Sequence, residues 1–398
     1  MVGREEAETR LRTAGWLQNP ALQRIFKALD GGAGRTRAVG GVVRDTLMAH
    51  DRTSTDFDLA TELSPDQVVK RAHAAGIASY PTGIEHGTVT LKANDLVAEV
   101  TTLREDVETD GRHAVVRFGT DWSRDAQRRD FTLNALYCEA DGTLFDPLDG
   151  LDDCLSARIR FIGSPEQRIA EDRLRVFRFF RFSASHGHQR FDPAGLDACR
   201  DASNTLGNLS AERVGSEMAR IIALSKVSRT LHTMADAGVV YFTDEQLRQL
   251  ESYEDLAPYP TGRGRLALLV TDGTAEALQA RWRLANEMIA DALAVLRAAR
   301  LVNLGALNEA AYRFPKQVET AIPVAAAIAE RNAEEVAQNF QRLNALAIPK
   351  FPISGADLLA RGFAPGRAVG LELNRLERIW IDSGFSLGRD ELIGRSEG

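Results

Sequence analysis

The sequence changes character near residue 160, and that change limits the folds open to it. Ahead of it lie short alternating segments bounded by turn residues: IASYPTG from Ile77, GTVTLK from Gly87 and LVAEVTTL from Leu96, the last two split at Ala93-Asn94-Asp95. These read as strands. From Pro165 onward the strand signal largely disappears, and helical stretches begin near 166, 194, 211, 228, 244, 274, 306 and 332. Strands gathered first and helices afterwards point to an α+β class rather than to alternating βαβ units. The expected architecture is a head over 1–160, with a mixed or antiparallel sheet and helices, then an all-helical remainder. Glycine and proline cluster near 258–264 and 347–370, which places joints there.

Within the head, residues 1–38 read as helical, with Trp16, Leu17, Leu22, Ile25, Phe26 and Leu29 as the apolar face. Pro65 opens a helix to about Ala75, with Val68 and Val69 inward. The charged segment 104–117, containing Asp110-Gly111, reads as a mobile loop. A strand is expected at 136–139, and Asp141-Gly142 turns the chain back.

The net charge of -7 argues against a uniformly basic nucleic-acid binder, yet arginines crowd within 124–129 and 173–181, so a local basic groove fits. Cys138, Cys154 and Cys199 have no metal-like spacing, and their odd number speaks against a disulfide framework. The opening MVGREEAETR lacks a secretory pattern, and the longest apolar run, IPVAAAIA at 322–329, is far below the roughly 20 residues a membrane span needs. The expectation is a cytoplasmic protein with no membrane association, and no segment calls for an obligate protein partner.

Chemistry concentrates in 39–61, VGGVVRDTLMAHDRTSTDFDLAT. Residues two apart on a strand face the same way, so Asp56 and Asp58 share a face, roughly 6.5 Å apart at the backbone. Phe57 between them points into the core. Gly40 and Gly41 leave backbone amides open to a phosphate where the next helix starts, and Arg44 adds a planar donor fork one turn later. Glu99, between Ala98 and Val100 on a later strand, supplies a third carboxylate. Three acids beside a phosphate cradle repel one another unless cations lie between them. That suits two-metal nucleotidyl transfer with ions ~3.5–4 Å apart, and hard oxygen donors favour Mg²⁺. Standing alone, an Asp-x-Asp is commonly a solvated turn, and the lesser alternative for Glu99 is a strand glutamate paired to an arginine.

Two further clusters stand out. In RRDFTLNA at 128–135, Arg129 can clamp phosphate and Asp130 or Asn134 can bond a ribose hydroxyl; the alternative is a strand-entry turn with a buried Asn and a salt bridge. The segment 166–182, EQRIAEDRLRVFRFFRF, reads as one helix with Asp172 and Arg175 on a common face, able together to imitate a Watson–Crick edge. Arg178 and Arg181 continue the series, drifting around the helix. At 353–380, Gly-Phe-Ala-Pro-Gly precedes an amphipathic helix and fits either a phosphate contact or a tight interhelical turn. The seven histidines show no ligand spacing, His86 reads as structural, and no P-loop, Rossmann or Ser–His–Asp signature is present.

Taken together, VGGVVRD with DFDLAT, EVTTLRED, RRDFTLNA, DPLDG, EDRLRVFRFFRF and SAERVGSEM resemble, in order and over 39 to about 224, the class II tRNA nucleotidyltransferase and bacterial poly(A) polymerase family. The resemblance implies a polymerase-β-like nucleotidyltransferase head (1–160), a helical neck (161–240) and a helical body and tail (241–398) that binds the tRNA. It implies Asp56 and Asp58 as catalytic metal-holding residues and Glu99 as the third catalytic carboxylate. Gly41, Arg44 and Arg129 would contact triphosphate or sugar. Asp172 and Arg175 would read the base, with Arg178 and Arg181 completing the nucleotide pocket. The implied reaction is Mg²⁺-dependent, template-independent addition of CMP and AMP from CTP and ATP to the 3′ end of tRNA.

Within the family, YPTGIEHGTVTL at 80–91 lacks the basic, aromatic-containing strand usual in poly(A) polymerases, and 104–117 is full length, unlike the shortened version of CC-only enzymes. A poly(A) polymerase and a CC- or A-only enzyme stand as alternatives. A non-catalytic RNA-binding protein is a third reading, opposed by the intact Asp56, Asp58 and Glu99. Leu103 stands where the family usually has an aromatic, and 240–350 matches no motif of it.

Overall fold

Thr36–Val39 is a strand (β1), not the end of a helical run. The computed structural model describes residues 3–50, 56–109, 114–270 and 275–397, and in it the N-terminal helices are Arg4–Arg12 and Pro20–Ala28. Four residues are too few to display an alternation, so tertiary pairing decides the matter. The Thr36 hydroxyl lies 2.6 Å from the Leu29 carbonyl and 2.8 Å from the Thr61 hydroxyl, and the backbone ladders with strands on both sides.

The remaining strands are Asp56–Thr61 (β2), Ala78–Gly83 (β3), Thr88–Ala93 (β4), Leu96–Thr102 (β5), Arg104–Thr109 (β6), Ala114–Phe118 (β7), Tyr137–Cys138 (β8) and Leu144–Phe145 (β9). Among the described residues, seven of them form one sheet in the order β3-β4-β5-β2-β1-β8-β9. Only β2 and β5 pair in parallel there; the sheet is mixed. The helices Pro20–Ala28 and Pro65–Ala74 pack on β4 and β5. Pro65–Ala74 starts where expected, with Ser64 and Gln67 as a reciprocal capping box. Val68 is buried as expected, whereas Val69 is only half-buried.

The expected loop at 104–117 is a hairpin. β6 and β7 pair antiparallel, Arg104 opposite Phe118, with a register shift between Asp106 and Glu108. The Asp110-Gly111 turn lies outside the described residues. Charged residues conceal a strand from pattern reading because the backbone ladder needs no apolar alternation. At the hairpin's base the Phe118 ring lies against Gly87, where a Cβ would come within 2.6 Å of it.

Two compact units make up the chain: Met1–Leu209 with Thr233–Val240, and Ser210–His232 with Tyr241–Gly398. No strand follows Phe145 among the described residues. The helices Pro193–Ala202, Ala211–Ile222, Ser228–Asp236, Asp244–Leu256, Ala275–Trp282, Leu307–Arg313 and Ala333–Ala345 begin within a residue of the positions read from the pattern. In the second unit Gly215 faces the Trp282 carbonyl so closely that a Cβ would stand 1.6 Å from its oxygen. Arg265, wholly buried, donates to Glu254 at 2.5 Å and to the carbonyls of Ile222 at 2.9 Å and Ser225 at 2.5 Å. It thereby satisfies backbone acceptors at the end of the Ala211–Ile222 helix and just beyond it. The IPVAAAIA run belongs to the buried helix Val318–Ile328. Among the described residues no helix is long and apolar enough to cross a membrane.

Candidate active site

β2 alternates as its sequence requires: Asp56 and Asp58 are exposed, while Phe57 and Leu59 are buried. The Phe57 ring, 6.0 Å from that of Trp16, anchors the strand from below. On β5, Glu99 is exposed between buried Ala98 and Val100. The parallel register makes Asp58 and Glu99 Cα partners, so all three carboxylates lie on one face of two adjacent strands. Among the described residues, no three His, Cys, Asp or Glu side chains are drawn into a closed metal-binding group. The donor set is nonetheless three exposed, hard carboxylates on one face, which fits a divalent cation.

β1 ends at Gly40, whose φ of 70° and ψ of -126° suit glycine, and the helix Gly41–Leu47 follows. The expectation that both glycines leave their amides open needs correction, because Gly40 N–H donates to the Leu136 carbonyl at 3.3 Å. Gly41, the first helical residue, keeps an amide without an intrahelical acceptor.

Arg44 is buried and held at both edges. Nε and Nη2 donate to Asp45 Oδ1 at 2.8 and 2.7 Å, Nη1 donates to Asn134 Oδ1 at 2.7 Å, and the guanidinium lies 5.0 Å from the Phe182 ring centre. Asn134 in turn donates to Asp130 Oδ1 at 3.0 Å, and Arg178 Nε donates to Asp130 Oδ2 at 2.7 Å. For RRDFTLNA, then, the buried Asn and the salt bridge are what the structure displays. Burial opposes ionisation of Asp130, but the Arg178 charge and the Asn134 and Arg178 hydrogen bonds outweigh it and lower its pKa. Arg129 is tied to Asp125 at 3.1 Å and to the Tyr137 hydroxyl at 3.2 Å, while Arg128 donates to the other Asp125 oxygen at 2.8 Å. Burial again works against the Asp125 charge, and Arg129 and Arg128 prevail, lowering its pKa.

The single helix expected over 166–182 is two helices, Pro165–Glu171 and Arg175–Ser185. Asp172 stands at the break in an extended conformation, φ -147° and ψ 103°. Its Oδ1 accepts from Leu174 N–H at 3.1 Å, and its carbonyl accepts from Arg175 N–H at 3.0 Å. An aspartate that bonds its own backbone two residues on competes with helix continuation, and here it wins. Asp172 and Arg175 are therefore not i,i+3 neighbours on one helical face. Arg175 instead opens the second helix, donating to Glu171 at 2.7 Å and to the carbonyls of Arg168 at 2.8 Å and Arg128 at 3.1 Å. The two arginine-rich segments of the sequence thus meet.

Arg178 and Arg181 do converge, around one ring. Their guanidinium carbons lie 5.5 and 4.3 Å from the Phe182 centre, with Arg44 beside the same ring. Pattern reading missed the partners that orient these groups. Glu171, four residues before Arg175 at helical spacing, was within its reach; Asp125 has the same relation to Arg129. Asp45 and Phe182 gave no such signal.

Residues 36–160 match the model of the Poly A polymerase head domain. The chain is 31% identical over 373 residues to the human CCA tRNA nucleotidyltransferase 1, mitochondrial, covering 90% of this chain and 85% of that one. It is 30% identical over 380 residues to the CCA-adding enzyme of Bacillus velezensis, covering 90% and 91%. These alignments extend across 240–350, where no motif was legible. Among solved structures, the Bacillus stearothermophilus CCA-adding enzyme in complex with CTP superposes with a TM-score of 0.75 at 24% identity, over 94% of this chain and 96% of that one, which establishes a common fold. A mixed-sheet head with its acids on β2 and β5, joined to a relationship spanning nine-tenths of the chain, makes this protein a member of the CCA tRNA nucleotidyltransferase (CCA-adding enzyme) family.

Proposed function

We propose that this protein adds CMP and then AMP, taken from CTP and ATP, to the 3′ end of tRNA without a template. The observation that carries this is the acidic face of β2 and β5, with Asp58 opposite Glu99, in a chain whose full-length relatives are CCA-adding enzymes. In this reading the terminal tRNA hydroxyl oxygen attacks the α-phosphorus, a P–O bond forms, and pyrophosphate leaves. Asp56 and Asp58 would hold divalent metal, assigned as Mg²⁺, with Glu99 as the third carboxylate. When bound, such ions lower the pKa of the attacking hydroxyl and offset charge on the leaving pyrophosphate.

Gly41, Arg44 and Arg129 face the triphosphate and sugar. Arg44 and Arg129 are pre-oriented by Asp45, Asn134 and Asp125, so little side-chain freedom is lost when nucleotide binds. Asp172 and Arg175 read the base, from the helix break and from the start of the second helix. Arg178 and Arg181 complete the pocket around Phe182. The head is assigned to 1–160, the neck to 161–240, and the tRNA-binding body and tail to 241–398. The cytoplasm is the proposed compartment, since Cys138, Cys154 and Cys199 are free and buried.

The test uses purified protein, Mg²⁺ and a tRNA transcript lacking its last three nucleotides, with each NTP supplied singly and CTP and ATP together. Extension by two C's with CTP, and by one further A with both, is the expected product pattern. A long A tail with ATP alone would identify a poly(A) polymerase instead. Arrest at two C's with both nucleotides would identify a CC-adding enzyme.

A further inference from the structure

Arg44 and Asp45 are adjacent on the helix Gly41–Leu47, and adjacent helical side chains point about 100° apart rather than at each other. Their hydrogen bonds at 2.8 and 2.7 Å therefore require both side chains to be held from outside the helix. Asn134 holds the Arg44 end. The Asp45 end is held by His186, from the C-terminal cap of the helix Arg175–Ser185, whose Nε2 lies 3.1 Å from Asp45 Oδ1.

The imidazole is itself fixed on three sides. Nδ1 is 2.6 Å from the Ser185 hydroxyl, the ring stacks on His50 at 5.2 Å between centres, and it lies 5.5 Å from the Phe182 ring. A carboxylate only accepts, so the Nε2 position carries the proton toward Asp45, while the Ser185 hydroxyl beside Nδ1 also donates to the Arg181 carbonyl at 2.9 Å. One oxygen, Asp45 Oδ1, thus receives three donors, two from Arg44 and one from His186. His186 also borders Phe182, the ring beside which the Arg44 guanidinium lies.

We propose that His186 is a positioning residue for Arg44: it fixes the Asp45 carboxylate that sets the orientation of the guanidinium toward the nucleotide. It touches neither nucleotide nor tRNA in this assignment. The inference rests on the reading of Arg44 as a triphosphate contact, and it deepens that reading by linking the cradle to the end of the arginine-bearing helix.

The experiment separates the donor from the ring. His186→Gln keeps an N–H donor in reach of Asp45 without an aromatic ring, His186→Phe keeps a ring against His50 and Phe182 without a donor, and Arg44→Ala tests the site itself. KM for CTP and ATP, kcat and Tm are measured for each on the truncated tRNA. Both Arg44→Ala and His186→Phe are expected to raise the nucleotide KM about tenfold, as loss of a hydrogen bond to a charged group does, with His186→Gln within about twofold of wild type. The kcat of the His186 variants should change by less than about twofold.

If Arg44→Ala raises KM and His186→Phe does not, the positioning role is wrong and the site reading survives. If His186→Gln is as impaired as His186→Phe, the ring rather than the hydrogen bond matters, and the proposal is overturned. If Arg44→Ala leaves KM unchanged, the triphosphate reading fails and the inference fails with it.

Discussion

Asp58 on β2 and Glu99 on β5 are Cα partners across the parallel pair of the sheet, and both are exposed. Two carboxylates on neighbouring parallel strands, with Asp56 two residues away, repel one another, and a divalent cation relieves that repulsion. Glu99→Gln is expected to slow nucleotide addition about 10²-fold at limiting Mg²⁺ and by less at high Mg²⁺, without lowering Tm. A rate-against-Mg²⁺ titration measures this, and excess chelator should abolish addition by the wild type until Mg²⁺ is restored.

The Asp130–Arg178 pair joins the RRDFTLNA segment to the helix Arg175–Ser185. Asp130→Asn removes the negative charge opposite Arg178 and leaves one acceptor oxygen where the carboxylate had two, serving Arg178 and Asn134 separately. Loss of hydrogen bonds to a charged group in a partly exposed pair is expected to cost about 1–2 kcal/mol of stability. Urea unfolding of the two proteins should show the midpoint displaced and the slope unchanged.

The pH dependence has two windows of the same sign. Asp45, Asp125 and Asp130 have lowered pKa values in the folded protein, so the unfolded chain, with Asp near ~3.9, takes up protons first. Their stabilisation is present above about pH 4 and is lost as pH falls through the folded values. His186 is also lowered, by burial first and by the Arg44 charge and His50, with Asp45 pulling the other way. The unfolded histidine, near ~6.5, therefore protonates first, and stability begins to decline below that pH. Unfolding free energies at several pH values should show a shallow decline from about 6.5 and a steeper one below about 4; His186→Phe should lose the upper decline.

Gly215 of the SAERVGSEM segment has no room for a side chain, because its Cβ would stand 1.6 Å from the Trp282 carbonyl oxygen. Gly215→Ala must displace the helix Ala211–Ile222 from Trp282 and is expected to destabilise by more than about 2 kcal/mol. Thermal unfolding is the check, and the loss should appear whether or not nucleotide is present.

The parts of this molecule legible in its sequence are those governed by local period. DFDLAT exposes its acids and buries Phe57 because a strand turns alternate side chains to opposite faces, and Glu99 is conspicuous between Ala98 and Val100 for the same reason. The features that escaped are those decided by distant partners. β1 is a strand because β2 and β8 flank it, and the hairpin of β6 and β7 has no apolar alternation to announce it. Helical periodicity runs unbroken through Asp172, where the Leu174 N–H donates to the Asp172 carboxylate instead and the first helix ends. Asp45 and His186 are 141 residues apart, and nothing in either neighbourhood points to the other.

If the exposed acids of β2 and β5 perform nucleotide addition and do not serve the fold, neutralising one of them stops the reaction and spares the structure. The variant to measure is Asp58→Asn, in single-turnover extension of the truncated tRNA at saturating CTP and Mg²⁺ alongside its Tm. The predicted result is a rate reduced at least about 10³-fold with Tm little changed, since the side chain is exposed on the strand. A variant that keeps more than about a tenth of the wild-type rate, or one that loses its rate only by unfolding, would mean that these acids do not carry the reaction.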